Sequence, residues 1–244
     1  MDKKERIDKL IASQGLASRS EVKNLMKRGE VTVNGIVVKD SAVKVGYDDV
    51  ITVSGQTLFQ TEHVYIMLNK PQGVVSASND KRDKTVVDII PDEYKRKNLF
   101  PAGRLDKDTV GFCLITDDGD FAHNILSPSR HVTKTYIAKL SNPIDFEKSK
   151  KMFSDGVILG DGTVLLSAIV EQIVDSDKPE YKVIIKEGKY HQVKRMFATC
   201  GATVTLLKRI AIGGLPLDES LKEGESRLIS AEELKSIVEN DEKF

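Results

Sequence analysis

Long apolar runs are missing from this sequence. No stretch of about 18 apolar residues occurs, the length a helix needs to cross a bilayer, so no membrane partner is expected. Cysteine is scarce: Cys113 and Cys200 stand far apart and fit no metal or redox spacing. Two such thiols read as reduced, buried cysteines of a cytosolic protein. The opening residues, Met1-Asp2-Lys3-Lys4-Glu5-Arg6, match neither a signal nor a transit peptide. Internal repeats, low-complexity segments and nucleotide- or metal-binding motifs are also absent. No H-x-E accompanies a C-x-x-C, which excludes a zinc-dependent base deaminase. Net charge is zero, with 37 basic against 37 acidic side chains, an unpromising sum for a nucleic-acid binder.

The distribution of charge says more than the sum. From Asp218 to Phe244 nine acids face four bases, so the remainder is net positive. Residues 1–45 hold ten Lys/Arg against six Asp/Glu, and Lys186–Arg209 holds six bases against one acid. Basic patches on a neutral protein fit local phosphate contact. Chance clustering of surface charge is the competing reading of either patch alone. The apolar fraction of 40% suffices for packed cores, and 244 residues suit a small domain followed by a medium one.

The first 45 residues have a compact plan. Ile7, Leu10 and Ile11 have helical spacing, ended by Gly15. Ser18 and Glu21 form an S-x-x-E capping box that starts a second helix. Val22, Leu25 and Met26 are its apolar stripe, and Gly29 stops it. Val31, Val33, Val37 and Val43 then alternate through an Asn34-Gly35 turn, a hairpin signal. On the second helix Arg19, Lys23, Lys27 and Arg28 project away from the apolar stripe. They form either a ladder for a phosphate backbone or an ordinary solvated face.

A domain boundary is expected near Gln60, giving domains 1–60 and 61–244. Beyond it Val64–Leu68 reads as a buried strand closed by the turn Asn69-Lys70-Pro71-Gln72-Gly73. Phe112–Ile115, Lys134–Leu140, Tyr181–Ile185 and Val204–Ile212 read as further strands, and His191–Cys200 as a helix stopped by Gly201. Strands and helices without a regular βαβ beat predict a mixed α+β fold with a largely antiparallel sheet.

Three segments are candidates for chemistry. Pro101–Gly111 is a polar, glycine-flanked loop between two apolar runs, where sites tend to sit. In an extended segment Arg104 and Asp106 share a face. A turn with solvated charges explains those residues equally simply. A calcium loop fits poorly: Asp106, Asp108, Gly111 and Asp117 match template positions, but Val110 and the apolar Phe112–Ile115 replace the oxygen-bearing ones. Asp117-Asp118-Gly119-Asp120 reads as a turn and helix start near His123. The second segment, Glu187–Phe197, leads from a glycine turn into a basic helix. Its neighbours Lys194 and Arg195 point about 100° apart and cannot share one task. In the third, Lys134-Thr135-Tyr136, Lys134 and Tyr136 share a strand face, and a lone strand tyrosine is commonly structural.

Two resemblances bear on these segments. Leu16-Ala17-Ser18-Arg19 followed by Gly29–Gly35 is similar to the small RNA-binding domain first named in ribosomal protein S-four. That implies a helix face, here Arg19, Lys23, Lys27 and Arg28, laid on structured RNA. Val22 stands where that pattern usually has alanine. Leu68–Gly73, Gly103-Arg104-Leu105-Asp106 with Asp108-Thr109, Thr116–Gly119, Lys134-Thr135-Tyr136, and His191–Met196 with Ile212-Gly213-Gly214 resemble, in that order, the RsuA-type branch of the pseudouridine synthases. The likeness runs from about Arg6 to about Val238. Thr133 departs from it, since an acid is usual there, and Phe112-Cys113 replaces an aliphatic pair.

The resemblance implies that Asp106 is the catalytic aspartate of an enzyme converting uridine to pseudouridine in ribosomal RNA. The reaction is redox-neutral and needs no cofactor or metal. An ionised carboxylate must attack carbon, either the ribose anomeric carbon or carbon 6 of uracil, and both remain open. By family position Lys194 is the cation that favours the ionised form. The target base must leave its stack, and Tyr136 would stack on the flipped uracil. Arg104, Lys189, Gln192 and Arg195 would contact RNA. In this branch the target is one uridine, numbered 516, of small-subunit 16S rRNA. A large-subunit 23S enzyme of the sister class is the alternative. A non-catalytic ribosome-binding protein is disfavoured by the presence of Asp106, Tyr136 and Lys194. A monomer is expected.

Overall fold

The computed structural model describes residues 4–46, 48–58, 62–174 and 176–238. The chain forms two compact units. One takes the chain up to Val64 together with Asp92–Leu99, and the other takes Tyr65–Pro91 and the chain from Phe100 onward. The boundary expected near Gln60 falls outside the described residues. Among the described residues no helix is long and apolar enough to cross a membrane.

The first unit follows its local signals. Helix α1 (Ile7–Ser13) buries Ile7, Leu10 and Ile11. Helix α2 (Arg19–Arg28) begins on Ser18, whose hydroxyl accepts from the Glu21 N–H while the Glu21 carboxylate accepts from the Ser18 N–H. That reciprocal cap satisfies two otherwise orphaned donors. Strands β1 (Val31–Val33) and β2 (Ile36–Val37) turn on Asn34 and Gly35, both with positive φ, as a tight hairpin requires. Strand β3 (Ile51–Val53) pairs with β1 on its other side, and β4 (Gln56–Leu58) completes a four-stranded antiparallel sheet. Ile7, Leu10, Ile11, Val22, Met26, Val31 and Ile51 fill the core between helices and sheet. Val22, in the place of the usual alanine, is wholly buried.

One buried charge ties the two helices. Asp8 on α1 is fully buried and accepts hydrogen bonds from Arg6 (3.1 Å) and Arg19 (3.0 Å). Burial alone would raise its carboxyl, but the bonds from Arg6 and Arg19 outweigh it and hold the group below the usual range. Gly15 carries a second constraint. Its φ is +82°, and a Cβ there would sit 2.3 Å from the carbonyl oxygen of Lys95 in the Asp92–Leu99 segment. The sequence offers helix termination as the reason for Gly15; the close approach of that segment is a further one.

The second unit is a mixed α+β structure, as the pattern predicts. The main strands are β5 (Tyr65–Lys70), β6 (Val110–Thr116), β7 (Lys134–Leu140), β8 (Ile169–Val174), β9 (Glu180–Ile185), β10 (Val204–Ile212) and β11 (Ser226–Leu228). They lie in the order β8-β9-β7-β10-β6-β5-β11. Every neighbouring pair in this path is antiparallel except β10 with β6, which is parallel. Helices α3 (Gly119–Leu126), α4 (Phe146–Asp155), α5 (Gln192–Thr199) and α6 (Ala231–Val238) join or follow the strands. Asp118 caps α3 through the Phe121 N–H (2.9 Å), consistent with reading the acidic cluster as a helix start. Phe112 and Cys113 are wholly buried in β6. At the parallel pair a Cβ on Gly111 would lie 2.3 Å from the Arg209 carbonyl oxygen, so only glycine permits this approach.

The first unit has two measurable consequences for stability. The Asp8 contribution is present above the unfolded carboxyl value, about 3.9, and is lost as pH falls through the depressed folded value. Thermal melts from pH 5 down to pH 2 should show that acid loss, and it should be weaker in Asp8→Asn. Gly15→Ala should cost about 1–3 kcal/mol from left-handed backbone strain alone, read as a lowered denaturation midpoint. An unchanged midpoint would contradict the close approach of Lys95.

Candidate active site

The loop before β6 carries Asp106, and the scaffold holds that loop from beneath. Lys70, at the end of β5, is fully buried and donates from Nζ to the carbonyls of Thr109 (2.8 Å), Pro71 (3.1 Å) and Lys107 (3.3 Å). Removing an ammonium from water costs several kcal/mol unless its donors are satisfied, and these three carbonyls satisfy it. Burial lowers the Lys70 amine from its ordinary value. The buried Ser76 hydroxyl accepts from the Leu105 N–H (3.1 Å), and the Gly73 N–H donates to the Lys107 carbonyl (2.8 Å). The Thr109 N–H closes a turn on the Asp106 carbonyl (3.1 Å). The loop is thus fixed on both sides of Asp106.

The carboxylate of Asp106 is only a quarter exposed. Lys194, on the first turn of α5, donates to Asp106 Oδ2 at 2.8 Å and to Asp108 Oδ1 at 2.6 Å. Burial would lower the Lys194 amine, but its bonds to the two carboxylates prevail and hold it above the ordinary lysine value. The Lys194 bond in turn lowers the Asp108 carboxyl. The ammonium therefore bridges two carboxylates that the sequence alone could offer to a calcium ion. His191 Nε2 lies 3.5 Å from Asp106 Oδ1.

A cleft of about 60 Å³ opens beside the carboxylate, smaller than the usual small-ligand site of about 300–1,000 Å³. Arg104, Asp106, Tyr136, Lys189, His191 and Gln192 line it, with Leu105, Ile185, Val193 and Leu207 as apolar wall. Tyr136 is buried on β7, next to a register shift against β10 between Thr135 and Tyr136. Lys134 does not share that setting. It is buried and donates to the Val132 (2.8 Å) and Ile125 (3.2 Å) carbonyls. Burial, and then the charge of Arg209, lower its amine to about 8.

Asp106, Tyr136, Lys194, Arg104 and Lys189 therefore gather in one unit, Lys194 through its bond to Asp106 and the others along the cleft wall. Gln192 and Arg195 are both engaged within the protein. Gln192 is buried, its Oε1 accepting from the Lys189 N–H (2.9 Å) and its Nε2 donating to buried Glu187 (3.2 Å). Its amide braces the turn into α5. Arg195 pairs with Asp161 at 2.5 Å and, like Lys194, is not among the cleft-lining residues. Lys189 Nζ donates to the Val164 carbonyl at 2.6 Å. In the first unit Arg19, Lys23, Lys27 and Arg28 are all exposed, but two are engaged, Arg19 by Asp8 and Arg28 by Glu30. Pattern alone does not single out Lys70, Ser76, Glu187 or His191. A lysine closing the apolar strand Tyr65–Leu68 is the one signal available for Lys70.

Comparison with known proteins bears on this geometry. The pattern of the RNA pseudouridylate synthase family matches residues 64–199, and that of the S4 domain matches residues 5–51. A Bacillus subtilis (strain 168) protein named as an uncharacterized RNA pseudouridine synthase is 44% identical over 231 residues, covering 94% of this chain and 96% of its own. The Vibrio vulnificus (strain CMCP6) ribosomal small subunit pseudouridine synthase A is 43% identical over 232 residues, covering 95% and 99%. A crystal structure of a pseudouridylate synthase superposes with a TM-score of 0.65 at 38% identity, covering 95% of this chain and 99% of that one. An aspartate-bearing cleft in the second unit and an S4 domain in the first thus coincide with matches along nearly the whole chain, which belongs to the RNA pseudouridylate synthase family.

Proposed function

We propose that this protein isomerises one uridine of small-subunit ribosomal RNA to pseudouridine, with Asp106 as nucleophile and uridine 516 of 16S rRNA as target. The observation that carries the chemistry is the Asp106 carboxylate, fixed by Lys194 at 2.8 Å beside a cleft lined by Tyr136. The small-subunit target rests on relatives that carry that name, among them the Escherichia coli (strain K12) protein, 39% identical over 234 residues.

The reaction breaks the bond from ribose to uracil N1 and forms one from ribose to C5. The C5 hydrogen leaves as a proton, N1 ends protonated, and no electrons are exchanged. Only a base out of its stack can present these atoms to a cleft. Tyr136 offers the uracil an aromatic face, and Leu207 and Ile185 offer it apolar wall. Oδ2 of Asp106 is held by Lys194, and Oδ1, 3.5 Å from His191 Nε2, is the attacking oxygen in this reading. Lys194 supplies a fixed positive charge, so the carboxylate enters the dry site already paired. Arg104 at the cleft edge faces the RNA beside the vacated position. The cleft is lined by one chain, so a monomer suffices for this reaction, and an rRNA substrate implies that it acts in the cytoplasm.

Pseudouridine mapping of both rRNAs in a strain lacking the protein tests this reading. Loss of one small-subunit site, restored by wild type and not by Asp106→Ala, is expected. An unchanged map, a lost large-subunit site, or rescue by Asp106→Ala would overturn it. Lys194→Met should lower kcat by roughly 10²–10³, the range for removing a preorganised electrostatic partner. RNA contact by the first unit has its own test. Arg19→Ala also strips a partner from buried Asp8, so Lys23→Ala with Lys27→Ala is the clean variant. It should lower the slope of log affinity against log salt by about 0.7–0.9 for each phosphate no longer neutralised. An unaltered slope would mean that this face does not touch phosphate.

A further inference from the structure

Tyr190 is the most exposed large apolar side chain among the described residues, at 76% of its surface. Its ring nevertheless has a partner. It stacks on His191, with centroids 3.8 Å apart and planes within 19°. Neighbouring side chains on an extended strand point to opposite faces, and here the backbone prevents that. His191 takes a left-handed conformation, φ 49° and ψ 34°, as it enters α5 without a side-chain cap. Such a conformation is costly for a non-glycine residue and persists only where its surroundings impose it. Its effect is to bring both rings to one side. His191 also lines the cleft, with Nε2 3.5 Å from Asp106 Oδ1. One face of Tyr190 is thus covered by a ring that lies beside the catalytic carboxylate. At 76% exposure the other face is open to solvent.

We propose that the open face of Tyr190 is a stacking platform for a nucleobase flanking the target uridine. This inference rests on the reading of the cleft as a uridine-isomerising site. When the target uridine leaves its stack, each flanking base loses an aromatic neighbour. An exposed ring beside the cleft, already stacked on His191, offers one of them a replacement. The stack tolerates any base, because every base has a π face. The platform therefore fixes the RNA next to the reacting nucleotide without reading its hydrogen-bonding edge. Tyr190 acts in binding, and His191 positions it. This pair is distinct from Tyr136, which is buried and lines the cleft.

The test uses the full-length enzyme and an rRNA fragment centred on the uridine that mapping identifies, whichever it is. 2-Aminopurine replaces the nucleotide on the 5′ side in one probe and on the 3′ side in another. Wild-type binding should quench one of the two probes by stacking. Tyr190→Leu should abolish that quenching and raise KM by about 5- to 150-fold, the loss expected of one base–aromatic stack, with the larger part of the change in KM and not kcat. Tyr190→Phe should retain both quenching and KM. Quenching that survives Tyr190→Leu would overturn the platform, as would Tyr190→Phe behaving like Tyr190→Leu, which would point to the hydroxyl. A defect seen only on assembled subunits and not on naked RNA would also overturn it, in favour of a protein contact. Failure of the underlying reading is recognised separately, because wild type would then form no pseudouridine in the fragment.

Discussion

The ammonium of Lys194 joins two carboxylates from a segment some ninety residues earlier in the chain, Asp106 at 2.8 Å and Asp108 at 2.6 Å. That contact couples helix α5 to the loop before β6. Those three groups carry a surplus of one negative charge, and Arg104 and Lys189 on the cleft wall add two positive ones. Asp108 is mostly exposed, and its carboxylate is also screened by water. Asp106 is mostly covered and depends on Lys194 and on its cleft neighbours. A partly buried carboxylate without such a partner would carry a desolvation cost of several kcal/mol.

The rest of the second unit serves to make that contact possible. The parallel pairing of β10 with β6 brings the strand that follows α5 beside the strand that follows the Asp106 loop. Gly111 permits the approach. The Arg209 side chain crosses the same junction and donates from Nε to the Phe112 carbonyl at 2.7 Å. Lys70 collects three carbonyls under the loop. Each of these is a buried cation or a missing side chain at the junction of strands, and Lys70 reaches the cleft lining through the Thr109 carbonyl. The first unit instead uses a buried carboxylate, Asp8, held by two arginines.

Much of this is legible in the chain because its signals are local. The capping box at Ser18 and Glu21, the Asn34-Gly35 turn, and the strands Lys134–Leu140 and Val204–Ile212 depend on residues a few positions apart. The Asp106, Tyr136 and Lys194 set is legible only through ordered motifs of a family, since each residue alone suits a solvated surface or a core. What the sequence does not display is long-range. Asp8 looks like a polar helix position, but its arginine partner Arg19 lies eleven residues on and buries it. Gln192 lies in the basic helix segment, and nothing near it in the pattern signals that Glu187 and the Lys189 N–H draw its amide inward. Arg195 finds Asp161, and the Asp92–Leu99 segment folds with the first unit, neither of which has a local signature. Helices α4 and α6 are not among the elements that the pattern predicts. Tyr190 gives no sign of its role because the left-handed backbone of His191 is a property of the folded turn.

Whether Asp106 is the nucleophile or a structural anion is decided most directly by the variant Asp106→Asn. Single-turnover conversion of an rRNA fragment by that variant, measured beside its affinity for the same fragment, separates the two roles. The variant keeps the shape of the site, and Lys194 keeps Asp108 as a partner. A nucleophilic role predicts binding within a few-fold of wild type and no pseudouridine formed, even with enzyme in excess. Conversion at a rate near that of wild type would contradict it.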